Sequence, residues 1–101
     1  MRGMIRSDSP FTILADHAPE LRQRFAVASL SLFGSAGRGQ LEPDSDVDVL
    51  VEFDGPATFD RFMDLKFHLE ALLDRPVDLV TPKALKPRMR PVVEREAVRV
   101  A

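Results

Sequence analysis

The chain has 101 residues, the usual size of one folded domain. It contains no cysteine, which excludes disulfides, thiolate metal sites and cysteine nucleophiles, and its formal net charge of −2 argues against a general nucleic-acid binder. No apolar run has the length of a membrane span, and no apolar segment follows the basic N-terminal residues as it would in a signal peptide. We therefore expect a cytoplasmic protein with a flexible segment at residues 1–9, a single domain at residues 10–101, and no contact with membrane or nucleic acid.

The first part of this domain is predicted as helix followed by strand. Apolar residues between positions 10 and 26 indicate a helix interrupted near Asp16 to Pro19. Asp16 is the predicted N-cap of its second part, and Pro19 fits an early helical turn. Small or polar residues alternate with apolar ones over 27–33, which is typical of a strand, and a short helix or turn follows over 35–40.

The second part is predicted as a loop, a strand, a helix, a strand and a basic helix, at residues 40–45, 46–53, 58–74, 77–80 and 83–98. Leucines and a phenylalanine recur on one face of the middle helix, and Thr58 is its predicted cap. The basic helix is expected to break near Pro87 or Pro91. This order of elements predicts an α/β or α+β fold with a small sheet covered by helices.

Two carboxylates, Asp46 and Asp48, interrupt the apolar strand at 46–53. Side chains alternate along a strand, so both should point to one face, about 6.6 Å apart at a rise of about 3.3 Å per residue. Burying them among valines is costly unless their charge is compensated, and two carboxylates on one face can hold Mg²⁺. The alternative is a half-exposed strand whose polar residues face water, which explains most isolated Asp-x-Asp sequences.

A glycine-serine pair, Gly34-Ser35, follows the first predicted strand. Glycine lets the backbone approach a ligand closely, and the Ser35 hydroxyl can form a hydrogen bond to that ligand. Amides at a helix start can point at phosphate oxygens. Arg38 adds a positive charge in the glycine-rich loop that follows. The spacing matches neither a P-loop nor a dinucleotide fingerprint. A phosphate-binding turn followed by a metal-binding strand indicates nucleotidyl transfer.

The charges are unevenly distributed along the chain. Residues 42–54 carry six acids and no base, whereas residues 83–101 carry six bases and two acids. An acidic centre and a basic C-terminal region suit a metal site flanked by a surface for an anionic ligand or partner. The alternative is that both segments are solvated faces.

These motifs together resemble the signature of the minimal nucleotidyltransferase family, within the DNA polymerase β-like superfamily. That signature is Gly-Ser, two residues, Arg-Gly, a short spacer and Ser-Asp-x-Asp, and it matches Gly34-Ser35, Arg38-Gly39 and residues 45–48. The resemblance covers nearly the whole chain, because Asp78 resembles the third family carboxylate and residues 85–88 and 94–97 resemble the family's C-terminal helix. Gly37 departs from the alanine usual before the arginine, which is expected to loosen the turn slightly.

The resemblance implies a small mixed sheet flanked by helices, with ATP and two Mg²⁺ ions at one edge. The carboxylates that it implies as catalytic groups and metal ligands are Asp46, Asp48 and Asp78. The residues that it implies for nucleotide binding are Gly34, Ser35 and Arg38. Asp78 would also act as general base on an attacking hydroxyl, and Arg38 would brace the loop or contact phosphate.

Three functions follow as hypotheses. The first, which the resemblance implies, is an antitoxin of a HEPN/MNT toxin–antitoxin pair that moves AMP from ATP to a hydroxyl of its HEPN-domain toxin. The size of the chain favours it, because there is no room for a substrate domain. The second is a module that neutralises its partner by contact alone. The third is a nucleotidyltransferase for a small molecule or RNA, which the net acidity disfavours. An oligomer is compatible with all three.

Overall fold

The computed structural model describes residues 9–37 and 45–101. Its helices and strands, in chain order, are α1 (Pro10–Asp16), α2 (Ala18–Phe25), β1 (Val27–Phe33), α3 (Gly34–Gly37), β2 (Val47–Phe53), α4 (Phe59–Leu73), β3 (Val77–Val80), a 3₁₀ turn (Pro82–Ala84), α5 (Arg90–Glu96) and β4 (Val98–Arg99). None of the described helices is both long and apolar enough to cross a membrane. Residues 1–8, most of the segment predicted to be flexible, lie outside the described residues.

The four strands form one mixed sheet in the order β3-β2-β1-β4. β1 is antiparallel to both β2 and β4, whereas β2 and β3 are parallel. Parallel neighbours need a crossover connection, and α4 provides it. The predicted α/β architecture, a small mixed sheet flanked by helices, is confirmed.

The core lies on one face of this sheet. Val47, Val49 and Val51 of β2 are fully buried, as are Leu65 and Leu69 of α4. α1 and α2 complete this layer, since α1 contacts α4 and α2 contacts both β1 and α4. Alternate residues of β2 point to the other face, so burying the valines leaves Asp48 on the face that these helices do not cover.

The break between the first two helices lies where it was predicted. Pro19 is in the first turn of α2, as expected, but Asp16 is the last residue of α1 and not an N-cap. His17 occupies that cap position without a capping side-chain bond, because its Nδ1 bonds to the Ile13 carbonyl at 2.8 Å. Ser9, counted with the flexible segment in the sequence analysis, caps α1 by accepting a bond from the Thr12 amide at 3.3 Å.

The ends of α4 agree with the prediction within one residue. The Thr58 hydroxyl accepts a bond from the Arg61 amide at 3.2 Å and so caps the helix start, as expected. At the other end Asp74 adopts a left-handed backbone with φ 56°, and Ala26 does the same after α2 with φ 54°. This conformation is usual for glycine and uncommon for other residues.

The prediction of one basic helix over 83–98 was wrong. The helix α5 spans only residues 90–96, and the short strand β4 follows it. Pro87 has no amide hydrogen and disfavours helical backbone at the residue before it, so no helix starts earlier. Pro91 lies in the first turn of α5, where proline is favoured, and does not break it. β4 is too short for an alternation pattern; it forms because β1 offers a free edge to pair with.

Candidate active site

The register of three strands brings the chemically important positions together at one end of the sheet. Phe33, the last residue of β1, pairs with Asp48 of β2, and Asp48 pairs with Asp78 of β3. Paired residues of neighbouring strands point to the same face. The Asp48 side chain therefore has Asp78 on one side and the turn that begins at Gly34 on the other.

Gly34 is in direct contact with this carboxylate. Its φ is +63°, in the left-handed region, and a Cβ added to it would overlap Oδ2 of Asp48. Both observations exclude an ordinary side chain at this position. The glycine-serine turn thus faces Asp48, and there is no room for a side chain between the backbone of Gly34 and the carboxylate.

The three acidic residues differ in exposure. Asp48 is half-buried, whereas Asp46 and Asp78 are exposed, and no charged residue in the described part of the chain is fully buried. Asp46 lies just before β2, which begins at Val47, whose amide donates to the Pro76 carbonyl at 3.0 Å. The expectation that Asp46 and Asp48 are both buried was therefore wrong. The case for a metal rests on the alignment of Asp48 with Asp78 and not on a cost of burial.

The donor set suits Mg²⁺, but the ligands do not form a closed cage. Within residues 9–37 and 45–101, no three acidic or histidine side chains converge closely enough to hold a metal ion by themselves. Mg²⁺ is commonly held by one or two carboxylates, with substrate phosphates and water as the other ligands. Asp48 and Asp78, aligned on neighbouring strands, fit an ion that arrives with a triphosphate.

Ser35 lies in the short helix α3, which contacts both β1 and β2, and its side chain is half-buried. This position is one residue beyond the glycine that touches Asp48, so Ser35 belongs to the same turn. Arg38, the third residue expected to bind nucleotide, lies outside the described residues.

Gly37 is where the chain departs from the family signature, and the structure gives a physical reason for glycine. A Cβ at this position would lie 2.9 Å from the Leu32 carbonyl oxygen and 3.1 Å from that of Glu96. The end of α3 therefore packs directly against the backbone of β1 and of α5. The expectation that glycine loosens the turn stays a prediction, but the space around Gly37 shows that glycine here also permits close packing.

Glu70 is a positioning residue that the sequence analysis missed. Its Oε2 accepts a bond from the Val77 amide at 2.9 Å and lies 3.5 Å from Lys66 Nζ. The carboxylate of α4 thus holds the first residue of β3, next to Asp78. The sequence carries no signal for this contact, because it spans seven residues across a helix end and a turn.

Comparison with known proteins gives a consistent assignment. The model of the nucleotidyltransferase domain family matches residues 14–100. Protein adenylyltransferase MntA of Thermococcus cleftensis is 45% identical over 98 residues, which are 97% of this chain and 99% of that protein. A solved structure provisionally described as a minimal nucleotidyltransferase has a TM-score of 0.78 and 35% identity, over 91% of this chain and 96% of that one.

A more distant solved structure has the same fold. It is a complex of a tri-AMPylated HEPN toxin of Shewanella oneidensis with an MNT antitoxin, and the matched chain has a TM-score of 0.65 at 18% identity. The match covers 90% of this chain and 71% of that one. The family match over most of the sequence, together with the glycine turn facing aligned carboxylates, leads to one conclusion: the chain belongs to the nucleotidyltransferase family and is a nucleotidyltransferase.

Proposed function

We propose that this enzyme transfers AMP from ATP to a hydroxyl of a partner protein, and that the partner is a HEPN-type toxin that it neutralises in the cytoplasm. The observation that carries the proposal is the position of Asp48, in contact with Gly34 and in register with Asp78. The protein adenylyltransferase at 45% identity and the fold shared with an antitoxin of an AMPylated toxin support the choice of acceptor.

The proposed reaction is an in-line displacement at the α-phosphorus of ATP. The acceptor hydroxyl oxygen forms a bond to that phosphorus, the bond from phosphorus to the oxygen that bridges to the β-phosphate breaks, and pyrophosphate leaves. Asp78 takes the hydroxyl proton, because it is exposed and lies beside Asp48 on the outer described strand. The bond formed and the bond broken are both phosphorus–oxygen, so no oxidant or reductant is needed.

The other residues bind and orient the nucleotide. Asp46, Asp48 and Asp78 would hold two Mg²⁺ ions, which supply charge compensation for the triphosphate and the leaving pyrophosphate. The turn at Gly34 and the Ser35 hydroxyl would bind the β- and γ-phosphates, and Arg38 would add a cation to that end. Because the backbone of Gly34 and the carboxylate of Asp48 are in contact, phosphates and metal would be bound side by side.

The test uses the full chain with its neighbouring HEPN toxin and ATP labelled at the α-phosphate. We expect label on the toxin, and we expect Asp48→Asn to lower the rate by about 1000-fold, because removing one group that stabilises developing charge commonly has such an effect. Asp64→Asn is the matched control, since Asp64 is an exposed aspartate on α4, which covers the opposite face of the sheet from Asp48.

Three other results would contradict the proposal. A tight complex without label would mean neutralisation by contact alone. Label from γ-labelled ATP would mean phosphate transfer. An equal loss of rate in the Asp64→Asn and Asp48→Asn variants would remove the specific role of Asp48.

A further inference from the structure

An apolar cavity of about 350 Å³ lies next to β3, at the end of the strand away from the proposed active site. The side chains that line it are mainly apolar and include Phe59, Phe62, Leu79, Val80 and Ala84. Phe59, at the start of α4, is 76% exposed although it forms part of the wall. A phenylalanine in this position gives the cavity an open apolar side that a partner's side chain could cover.

Although it lies at the far end of β3, this cavity is close to Asp78, because β3 has only four residues and contributes both Asp78 and part of the cavity wall. Leu79 and Val80, which line the cavity, are one and two residues from Asp78, so the cavity is within about 6.6 Å of Asp78 along the strand. Asp78 points to the uncovered face of the sheet, whereas Leu79 points to the face that α4 covers. β3 is an outer strand of the described sheet, and β2 lies on its other side. An extended segment running beside β3 could therefore present a hydroxyl near Asp78 while one of its own side chains enters the cavity.

The surface beyond the cavity is basic. Residues 83–90 contain four basic residues and no acid, and all four are exposed. Arg90 lies 3.9 Å from Glu94, whereas Lys83, Lys86 and Arg88 make no ion pair with any described residue. This charge is complementary to an acidic partner.

A second cavity joins the apolar and basic parts of this surface. It has a volume of about 410 Å³ and shares Ala57 and Thr81 with the first cavity. Lys83 and Arg90 line it together with one acid, Glu52. The two cavities, with Lys83 and Arg90, are thus one continuous surface, which we name the docking surface; Lys86 and Arg88 are exposed on the segment between these two bases. A nucleic acid would complement the basic residues of this surface but would leave the apolar cavity unoccupied.

We infer that the docking surface binds the acceptor as an extended acidic segment of the partner protein. An apolar side chain of that segment occupies the cavity beside Phe59, about three residues from the hydroxyl that receives AMP, because side chains an odd number of residues apart in an extended segment point to opposite faces. The inference rests on the proposed function for the identity of the acceptor. It adds the surface that selects the acceptor and the sequence features that such an acceptor must have.

The test measures the binding of short fluorescein-labelled peptides to the full chain by fluorescence anisotropy, without nucleotide. The parent peptide has one tyrosine, a leucine about three residues away and flanking glutamates, matching the strand spacing above. One variant peptide replaces the leucine with serine, and another replaces the glutamates with lysines. We expect the parent peptide to bind about tenfold more tightly than either variant, since each variant loses one apolar or electrostatic contribution of that size.

Matched substitutions in the protein locate the effect. Phe59→Ala and the double substitution Lys83→Glu with Lys86→Glu should each weaken binding of the parent peptide by about fivefold or more. Phe67→Ala is the control for the first, because Phe67 is also exposed on α4 at 57%. Arg22→Glu is the control for the second, because Arg22 is an exposed base on α2. Both controls should change the affinity by less than about twofold, as surface substitutions away from a site do.

Equal binding of the three peptides, equal effects of test and control substitutions, or tighter binding of a fluorescein-labelled oligouridine would each overturn the inference. Adding ATP labelled at the α-phosphate separates it from the proposed function. Selective peptide binding without labelling of peptide or toxin would keep the docking surface and reject adenylylation. Labelling of the toxin at a rate that Phe59→Ala leaves unchanged would keep adenylylation and reject the docking surface.

Discussion

The two ends of the parallel pair β2 and β3 are built differently. At the near end, the strand register alone places Asp48 beside Asp78, and a glycine fits against the carboxylate because it has no side chain. At the far end, side chains from β2, β3, α4 and the segments after β2 and β3 surround two open cavities. Backbone pairing therefore positions the proposed chemistry, whereas side-chain packing shapes the proposed contact with the acceptor. The effects of substitutions at the two ends should therefore differ in kind as well as in size.

After Asp48→Asn, the largest effect is expected from Asp78→Asn, which removes the proposed base at the near end. The turnover number for AMP transfer should fall by about 100-fold or more, because general-base catalysis contributes this much. The dissociation constant for ATP should change much less, since the phosphates bind chiefly at the glycine turn. Initial rates and isothermal titration measure the two quantities. Asp74→Asn is the control at an exposed acid outside the site, and an unchanged turnover in Asp78→Asn would leave Asp78 a structural role only.

Gly34→Ala tests whether the turn must be in contact with Asp48. A Cβ would displace the carboxylate, so we expect AMP transfer to fall by about 100-fold, and the positive φ should lower the free energy of unfolding by about 1–2 kcal/mol. Gly55→Ala is the matched control, because Gly55 also has a positive φ (114°) but its added Cβ would meet only Arg61 Nη1 at 4.0 Å. Rates and urea unfolding of both variants separate backbone strain from the clash with Asp48. Equal loss of activity in the two would contradict the contact.

Glu70→Ala tests the link between the helix layer and the near end. It leaves the Val77 amide without its carboxylate acceptor, so the free energy of unfolding should fall by about 1–2 kcal/mol. Glu70→Gln keeps an oxygen acceptor and should lose less. Urea unfolding followed by circular dichroism measures both variants. The same loss in Glu70→Gln as in Glu70→Ala would assign the effect to charge and not to the hydrogen bond.

Thr58→Ala, a substitution at the far end, is expected to have the smallest effect on the free energy of unfolding. Loss of the cap should lower the free energy of unfolding by about 1 kcal/mol, whereas Thr58→Ser should be nearly neutral. Neither variant should change the dissociation constant for ATP, because the cap lies at the opposite end of β2 from Asp48. A weaker ATP affinity in Thr58→Ala would show that the two ends are coupled through α4.

The sequence predicts the elements with strong periodicity and fails where contacts between distant residues decide the structure. β1, β2, α4 and β3 were placed within one residue, because alternation and three- or four-residue spacing are clear in them. The contact of Gly34 with Asp48 cannot be read from local spacing, since it depends on how β1 and β2 align. The bond from Val77 to Glu70 is tertiary in the same way.

The C-terminal region shows the same limit more strongly. Its basic composition and three prolines, counted from Pro82 to Pro91, are compatible with a broken helix, with turns or with an extended segment. Pairing with β1 selects a strand for Val98–Arg99, and the Val100 amide then donates to the Leu30 carbonyl at 2.8 Å. A two-residue strand has no local pattern that could have predicted it.

The left-handed residues Ala26 and Asp74 offer a route to a more heat-resistant protein. Each holds, at a helix end, a backbone conformation that costs a residue with a Cβ about 1 kcal/mol or more. Ala26→Gly should recover up to about 1 kcal/mol, since glycine is favoured at such ends. A gain of that size raises the melting temperature of a domain of about 100 residues by roughly 4–8 °C. The stabilised variant should remain folded when it carries destabilising substitutions around Asp48. The same substitutions in the parent chain would lead to aggregation or proteolysis.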